Sequence, residues 1–248
     1  LSISAGNINA PVTDDSVLEI IDGTDNTLSS TITGEGEFII NASNVTNKSS
    51  NLITVKNTTI NEEKTFTLNA SDIVSNIVNN GIIEFVDGSN VNAIAGTGKT
   101  LINGAVTSSG LISQNIEILA SKSLTIDANL VGGSVLNKGS IYLTGANNIL
   151  SNEIDGTGMT YINGSITTDA DIKQNIEVLV DKSLTSDASH LLGSVLRNSG
   201  DVFLTAGDLT QQIQGTGKTT INGTVVSKTS IAQDKGVTII DDAKLTIN

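Results

Sequence analysis

Any chemistry in this chain has few side chains to start from. His190 is the only histidine, Arg197 the only arginine, and cysteine is absent. A Ser-His-Asp set or a histidine metal site would have to centre on His190, yet 60 residues earlier the matching repeat position holds Leu130. A position that accepts either Leu or His reads as surface. Carboxylates pair at Asp14-Asp15, Asp169/Asp171 and Asp241-Asp242, with Asp22 and Asp25 around a Gly turn. Hard cations such as Ca²⁺ prefer such oxygens, but neither an EF-hand spacing nor a glycine-aspartate nonapeptide accompanies them. Asp127 and Asp187 follow Leu124-Thr125 and Leu184-Thr185 and are the best general acid–base candidates. Each ends a strand before an Ala, as a turn-forming Asp does. These residues assign no catalytic, cofactor-binding or metal site, and the chain is expected not to be an enzyme.

Ala93-Ile94-Ala95-Gly96-Thr97-Gly98-Lys99-Thr100 has the pattern of a phosphate loop with Ala in place of its first Gly. Such a loop needs a helix after the Lys-Thr, whose amides and dipole hold the phosphates. Here Leu101-Ile102-Asn103-Gly104-Ala105-Val106 follows, which reads as a strand and a turn. Later copies put Met159 at the Lys position and Gln212 at that of the first Gly. Lys99 and Lys218 are therefore expected at surface corners, with no nucleotide bound. The Asn-x-Ser/Thr triplets at Asn41, Asn44, Asn47, Asn57, Asn69, Asn163 and Asn222 are glycosylation acceptors only where the machinery exists, and read as turn chemistry.

The elements that would position any of these groups are short strands in a repeat. Gly96-Thr97-Gly98-Lys99-Thr100-Leu101-Ile102-Asn103-Gly104 returns 60 residues later as Gly156-Thr157-Gly158-Met159-Thr160-Tyr161-Ile162-Asn163-Gly164. It returns after 59 more as Gly215-Thr216-Gly217-Lys218-Thr219-Thr220-Ile221-Asn222-Gly223, and a worn copy runs from Gly34 to Asn41. Gln114–Leu119, Lys122–Thr125, Gly133–Leu136 and Ile141–Thr144 also have counterparts about 60 residues on, at Gln174, Lys182, Gly193 and Val202. The repeats run about 34–95, 96–155, 156–214 and 215–248, the last truncated, so the segment is expected to come from a longer chain. Runs rich in β-branched residues alternate with Gly, Asn, Asp and Ser, and no amphipathic helical spacing is sustained.

Strand positions at Leu101, Leu124, Tyr142 and Tyr161 are separated by 23, 18 and 19 residues. Steps near twenty predict an all-β fold, a single right-handed parallel β-helix with about three coils per 60-residue repeat. Twelve or so coils at about 4.8 Å would make a rod of roughly 55–60 Å. Composition agrees: 38% of residues are apolar but only 2% aromatic, so the core must be Ile, Val, Leu and Ala. The 24 Gly fit corners that need positive φ. A single Pro fits strands paired on both sides, where a missing donor would break a ladder. Equivalent residues Ile102, Ile162 and Ile221 are expected to point inward on one common face, with Phe38–Ile40 as the matching strand of the worn copy.

The Gly-x-Gly-x-Thr-x-Ile-Asn-Gly unit, the Lys-Ser-Leu-Thr strand, the missing cysteine and the Asn/Thr/Gly/Ile richness resemble passenger domains of bacterial autotransporters. In style they are most similar to rickettsial surface-antigen passengers. The resemblance runs from about Ser16 to the end and implies a β-helix that crosses the outer membrane unfolded and projects from the cell. Lack of cysteine suits that route. The aromatic-rich translocator barrel of the complete family has no counterpart here. The implied function is a non-enzymatic extracellular adhesin or passenger rod on the bacterial surface. Its partners would be molecules of a host or neighbouring cell, or copies of itself. Alternatives are a surface-layer or fibre subunit, and a polysaccharide-binding or -cleaving β-helix. The last is disfavoured by the single arginine and the scarcity of aromatics. A net charge of −13 argues against nucleic acid, and no apolar run approaches a membrane span.

Overall fold

A computed structural model describes residues 1–8, 10–23 and 26–248. The chain folds as two compact units, Leu1–Leu124 and Thr125–Asn248. Each is a parallel β-solenoid, as the repeat and the β-branched runs predict. Every strand pair described is parallel, and among the described residues the only helical pieces are four three-residue 3₁₀ turns.

In the first unit one series of paired strands runs through Val17–Ile21, Glu37–Ile40, Ile53–Ile60 and Ile73–Asn79. A second runs through Asn44–Asn47, Thr65–Leu68, Ile82–Phe85, Lys99–Ile102 and Asn115–Ile118. Gly88–Val91 and Ala105–Ser108 form a third side. Side chains alternate, with Phe38, Ile40, Phe66, Leu68, Ile83, Phe85 and Ile102 fully buried. The core of this unit is thus not purely aliphatic: Phe38 meets Phe66 edge-on, centroids 6.0 Å apart.

The second unit is three-sided throughout its later coils. One series stacks Ser140–Thr144, Met159–Ile162, Asn175–Val178, Val195–Asn198, Gln212–Gly215 and Ile231–Gln233. Another stacks Ala146–Leu150, Ser165–Thr168, Ser183–Ser186, Asp201–Leu204, Lys218–Ile221 and Val237–Ile239. The third side has bridges at Ile154, Ile172 and Leu191, and then the strands Gly207–Leu209, Thr224–Ser227 and Lys244–Ile247.

Coil length and repeat length do not match, and this corrects one expectation. Successive coils take Met159 to Asn175, then Ile176 to Leu196, then Val195 to Gln212, steps of 16, 20 and 17 residues. Six further residues carry the chain round a corner to Lys218, the next repeat's counterpart of Met159. A 60-residue repeat therefore spans three coils and one extra side. Ile162 and Ile221 are both buried, as expected, but they belong to different sheets. The same holds for Ile40 and Ile102 in the first unit. Equivalent positions advance one face per repeat and do not share one. A period near 60 divides by three as easily as by three and a third, so sequence spacing alone cannot separate the two.

The Gly-x-Gly motif is explained by the coil before it. Asn79, Asn137 and Asn198 are completely buried at corners, each in an Asn-x-Gly triplet. The Asn137 amide donates to the Met159 carbonyl (3.0 Å) and to Gln174 Oε1 (3.1 Å), and its Oδ1 accepts from the Gly139 amide (3.0 Å). Asn79 repeats this with Lys99, Gln114 and Gly81, and Asn198 with Lys218, Gln233 and Gly200. Each side chain thus ties three successive coils. The Asn backbone carbonyl takes the amide of the motif's second glycine: Gly98 (2.9 Å), Gly158 (2.9 Å) and Gly217 (2.8 Å). The first glycine has to stay a glycine. At Gly156 φ is +118°, and a Cβ would stand 2.2 Å from the Asn137 carbonyl oxygen.

The worn copy keeps the backbone of this clamp but not its donor. Asp14 is buried, its carbonyl accepts from Gly36 N (2.7 Å) and its Oδ1 from Ser16 N (3.3 Å). Its Oδ2 has no hydrogen-bond partner, where the other corners present an amide donor.

Asn137→Ala should destabilise the protein by about 2–4 kcal/mol, because it leaves the Gly139 amide and Gln174 Oε1 without these partners as well as removing three hydrogen bonds. Asp14→Asn, supplying the missing donor, should stabilise by about 1 kcal/mol. Denaturant unfolding of the two variants checks both signs.

Candidate binding face

Several of the groups singled out from sequence have local hydrogen-bond or ion-pair partners. His190 ends a 3₁₀ turn, and its Nδ1 lies 2.8 Å from Asp171 Oδ1, with both side chains about one-third exposed (34% and 37%). Asp187 caps that turn, accepting from the Ser189 amide (2.8 Å) and hydroxyl (2.6 Å). Burial pushes its pKa up, but these two bonds, with His190 close by, outweigh burial and hold it below the usual carboxylate range. Asp127 accepts a hydrogen bond from Thr144. Asp22 is held by the Ser43 amide (2.7 Å) and hydroxyl (3.1 Å), while Asp25 lies outside the described residues. Asp15 accepts from the Glu35 amide (3.2 Å). Among the described residues no three His, Cys, Asp or Glu side chains gather as a metal ion would require.

Lys99 and Lys218 do not sit at the corners themselves. Each opens a strand, Lys99–Ile102 and Lys218–Ile221, and Lys99 pairs with Glu117 at 2.8 Å. The Gly98 amide, which a phosphate loop would offer to a ligand, is committed to the Asn79 carbonyl. Of the Asn-x-Ser/Thr asparagines, Asn41 donates to Glu19 (2.8 Å), Asn47 to the Asn51 carbonyl (2.8 Å) and Asn69 to Ser49 and Asp72 (both 3.1 Å).

No motif that stands out in the sequence marks a row that lies on the outer side of the second unit. Register pairing aligns Tyr142, Tyr161, Glu177, Arg197 and Gln214 on five consecutive coils of one side. These are the only two tyrosines of the chain and its only arginine. The strands alternate, so Ile141, Leu143, Thr160, Ile162, Ile176 and Leu196 point inward and are buried while this row points out. The tyrosine rings stack with centroids 4.5 Å apart and planes 9° from parallel. Burial raises the pKa of Tyr161, and the neighbouring Tyr142 and Glu177 raise it further. The sequence held a usable signal: Tyr142 and Tyr161 are 19 residues apart, about one coil. The repeat hid it, because the repeat counterparts of Tyr161 are Leu101 and Thr220, on other sheets.

Chemically the row offers two phenol hydroxyls, a carboxylate and a guanidinium at about one strand spacing each, roughly 4.8 Å. It can present an ordered set of donors and acceptors to a partner. Fold and row together define a parallel β-solenoid with an outward side-chain ladder. Neither protein-family models, nor curated proteins, nor solved structures contain a match to the chain.

Because folding favours the neutral Tyr161 phenol, its contribution to stability is complete below the ordinary phenol pKa and is lost as pH rises through the raised one. Tyrosinate absorbance during an alkaline titration should show the Tyr161 phenol ionising above the ordinary value. Glu177→Gln should bring that midpoint back down.

Proposed function

We propose that this chain is an adhesive, non-enzymatic segment of a bacterial cell-surface protein, displayed outside the cell in the manner of an autotransporter passenger. The observation that carries the reading is the Tyr142–Tyr161–Glu177–Arg197 row. It concentrates on one face the residue types, tyrosine and arginine, that anchor protein interfaces, in a chain that has none elsewhere. A parallel ladder fixes the spacing of such a row through backbone hydrogen bonds, so little side-chain order has to be gained on binding. The cysteine-free sequence is compatible with secretion in an unfolded state, and the −13 charge keeps the chain away from nucleic acid and anionic lipid.

The test is adhesion of beads coated with purified protein to cultured host cells. Tyr161→Ala and Arg197→Glu should each reduce bead retention by about ten-fold, the effect of losing one interface anchor. His190→Ala and Asp187→Ala should leave retention unchanged. Equal retention by all four variants, or cleavage of a polysaccharide panel that Asp187→Ala abolishes, would contradict the reading.

A further inference from the structure

The side chains of this chain that oxidise readily are few: no Cys, no Trp, one Met and two Tyr. All three lie on two adjacent, paired strands, Ser140–Thr144 and Met159–Ile162. Tyr142 and Tyr161 are direct register partners. Their rings are parallel to within 9° at 4.5 Å, and both are partly exposed on the outer side. The shared register and parallel planes bring the two rings face to face, with the ring carbons next to the phenol oxygens of one within reach of those of the other.

We propose that Tyr142 and Tyr161 form an oxidative modification site, at which a one-electron oxidant of the peroxide class joins them as an intramolecular dityrosine. Each phenol gives up one electron and its hydroxyl proton, leaving two tyrosyl radicals. The radicals couple through the carbons ortho to oxygen, one C–C bond forms, and the hydrogen on each coupled carbon shifts to oxygen to restore the phenol. Overall the pair loses two electrons and two protons, and the oxygen–oxygen bond of the oxidant is cleaved. With hydrogen peroxide acting through a haem peroxidase, the product is two waters. The result is a covalent tie between consecutive coils in a chain that has no cysteine to make one. It closes the loop from residue 142 to residue 161, constraining the unfolded chain as a disulfide would.

The inference is independent of the adhesive reading, since it needs only the ring geometry. It is tested by exposing the purified chain to light with a ruthenium photo-oxidant and persulfate, then digesting it and analysing the peptides by mass spectrometry. The expected result is monomeric protein lighter by two hydrogens, with dityrosine fluorescence and a peptide carrying Tyr142 linked to one carrying Tyr161. Yield should be about ten-fold higher in the folded chain than in concentrated guanidinium, because folding raises the local concentration of one ring at the other. The linked chain should unfold at higher denaturant than the untreated one. Tyr142→Phe and Tyr161→Phe, which keep the stacked rings and hence the fold, should each abolish the link. Dityrosine found only in covalent dimers, or formed equally in guanidinium, would overturn the proposal. So would oxygen added at Met159 with the two tyrosine peptides unlinked.

Discussion

A buried asparagine at a corner, bonded to the two coils that follow it, is the interaction on which this solenoid depends. Parallel strands supply their own backbone ladders along the sides, but a corner interrupts the ladder and leaves carbonyls and amides inside the wall. Asn79, Asn137 and Asn198 satisfy those groups, each with two donated bonds and one accepted. The Gly-x-Gly motif exists because the chain must cross that asparagine's carbonyl at close range. Where the clamp is degraded, at Asp14, a buried carboxylate oxygen is left without a partner. Conserving volume while changing one atom from nitrogen to oxygen is enough to lose the donor.

The second governing feature is the mismatch between a coil of 16 to 20 residues and a repeat of about 60. It places successive copies of the clamp on different sheets: Asn79, Asn137 and Asn198 end strands of three different ones. It also means that neighbours in an outer row are never repeat equivalents. A row can then diverge in chemistry without disturbing the motif that folds the coil. Tyr142 and Tyr161 are the clearest instance: stacked in space, unrelated in the repeat. The inner positions at the same strands stay aliphatic or Thr because they meet one another in the core.

Much of this was legible from residues alone. Alternating Ile, Val and Leu with Gly, Asn and Asp between them announce parallel coils, and the inward position of Ile102, Ile162 and Ile221 follows directly. The clamp was half visible: the glycines recur conspicuously, while Asn137-Lys138-Gly139 and its counterparts look like any turn. Their importance comes from hydrogen bonds across 20 to 37 residues, which no local pattern reveals. The face that equivalent residues occupy is not legible, because a third of a coil is invisible in a period. The Tyr–Glu–Arg row was missed because it mixes strand positions from different repeat phases.

Native-state amide hydrogen exchange tests the central claim most directly. If the buried asparagine corners secure the coils, the amides of Gly98, Gly158 and Gly217, each donating to an asparagine carbonyl of the previous coil, should exchange only through large-scale unfolding. They should be as slow as amides in the middle of the strands. Exchange of these three glycines at the rate of an open surface turn, while the strands remain protected, would contradict the account.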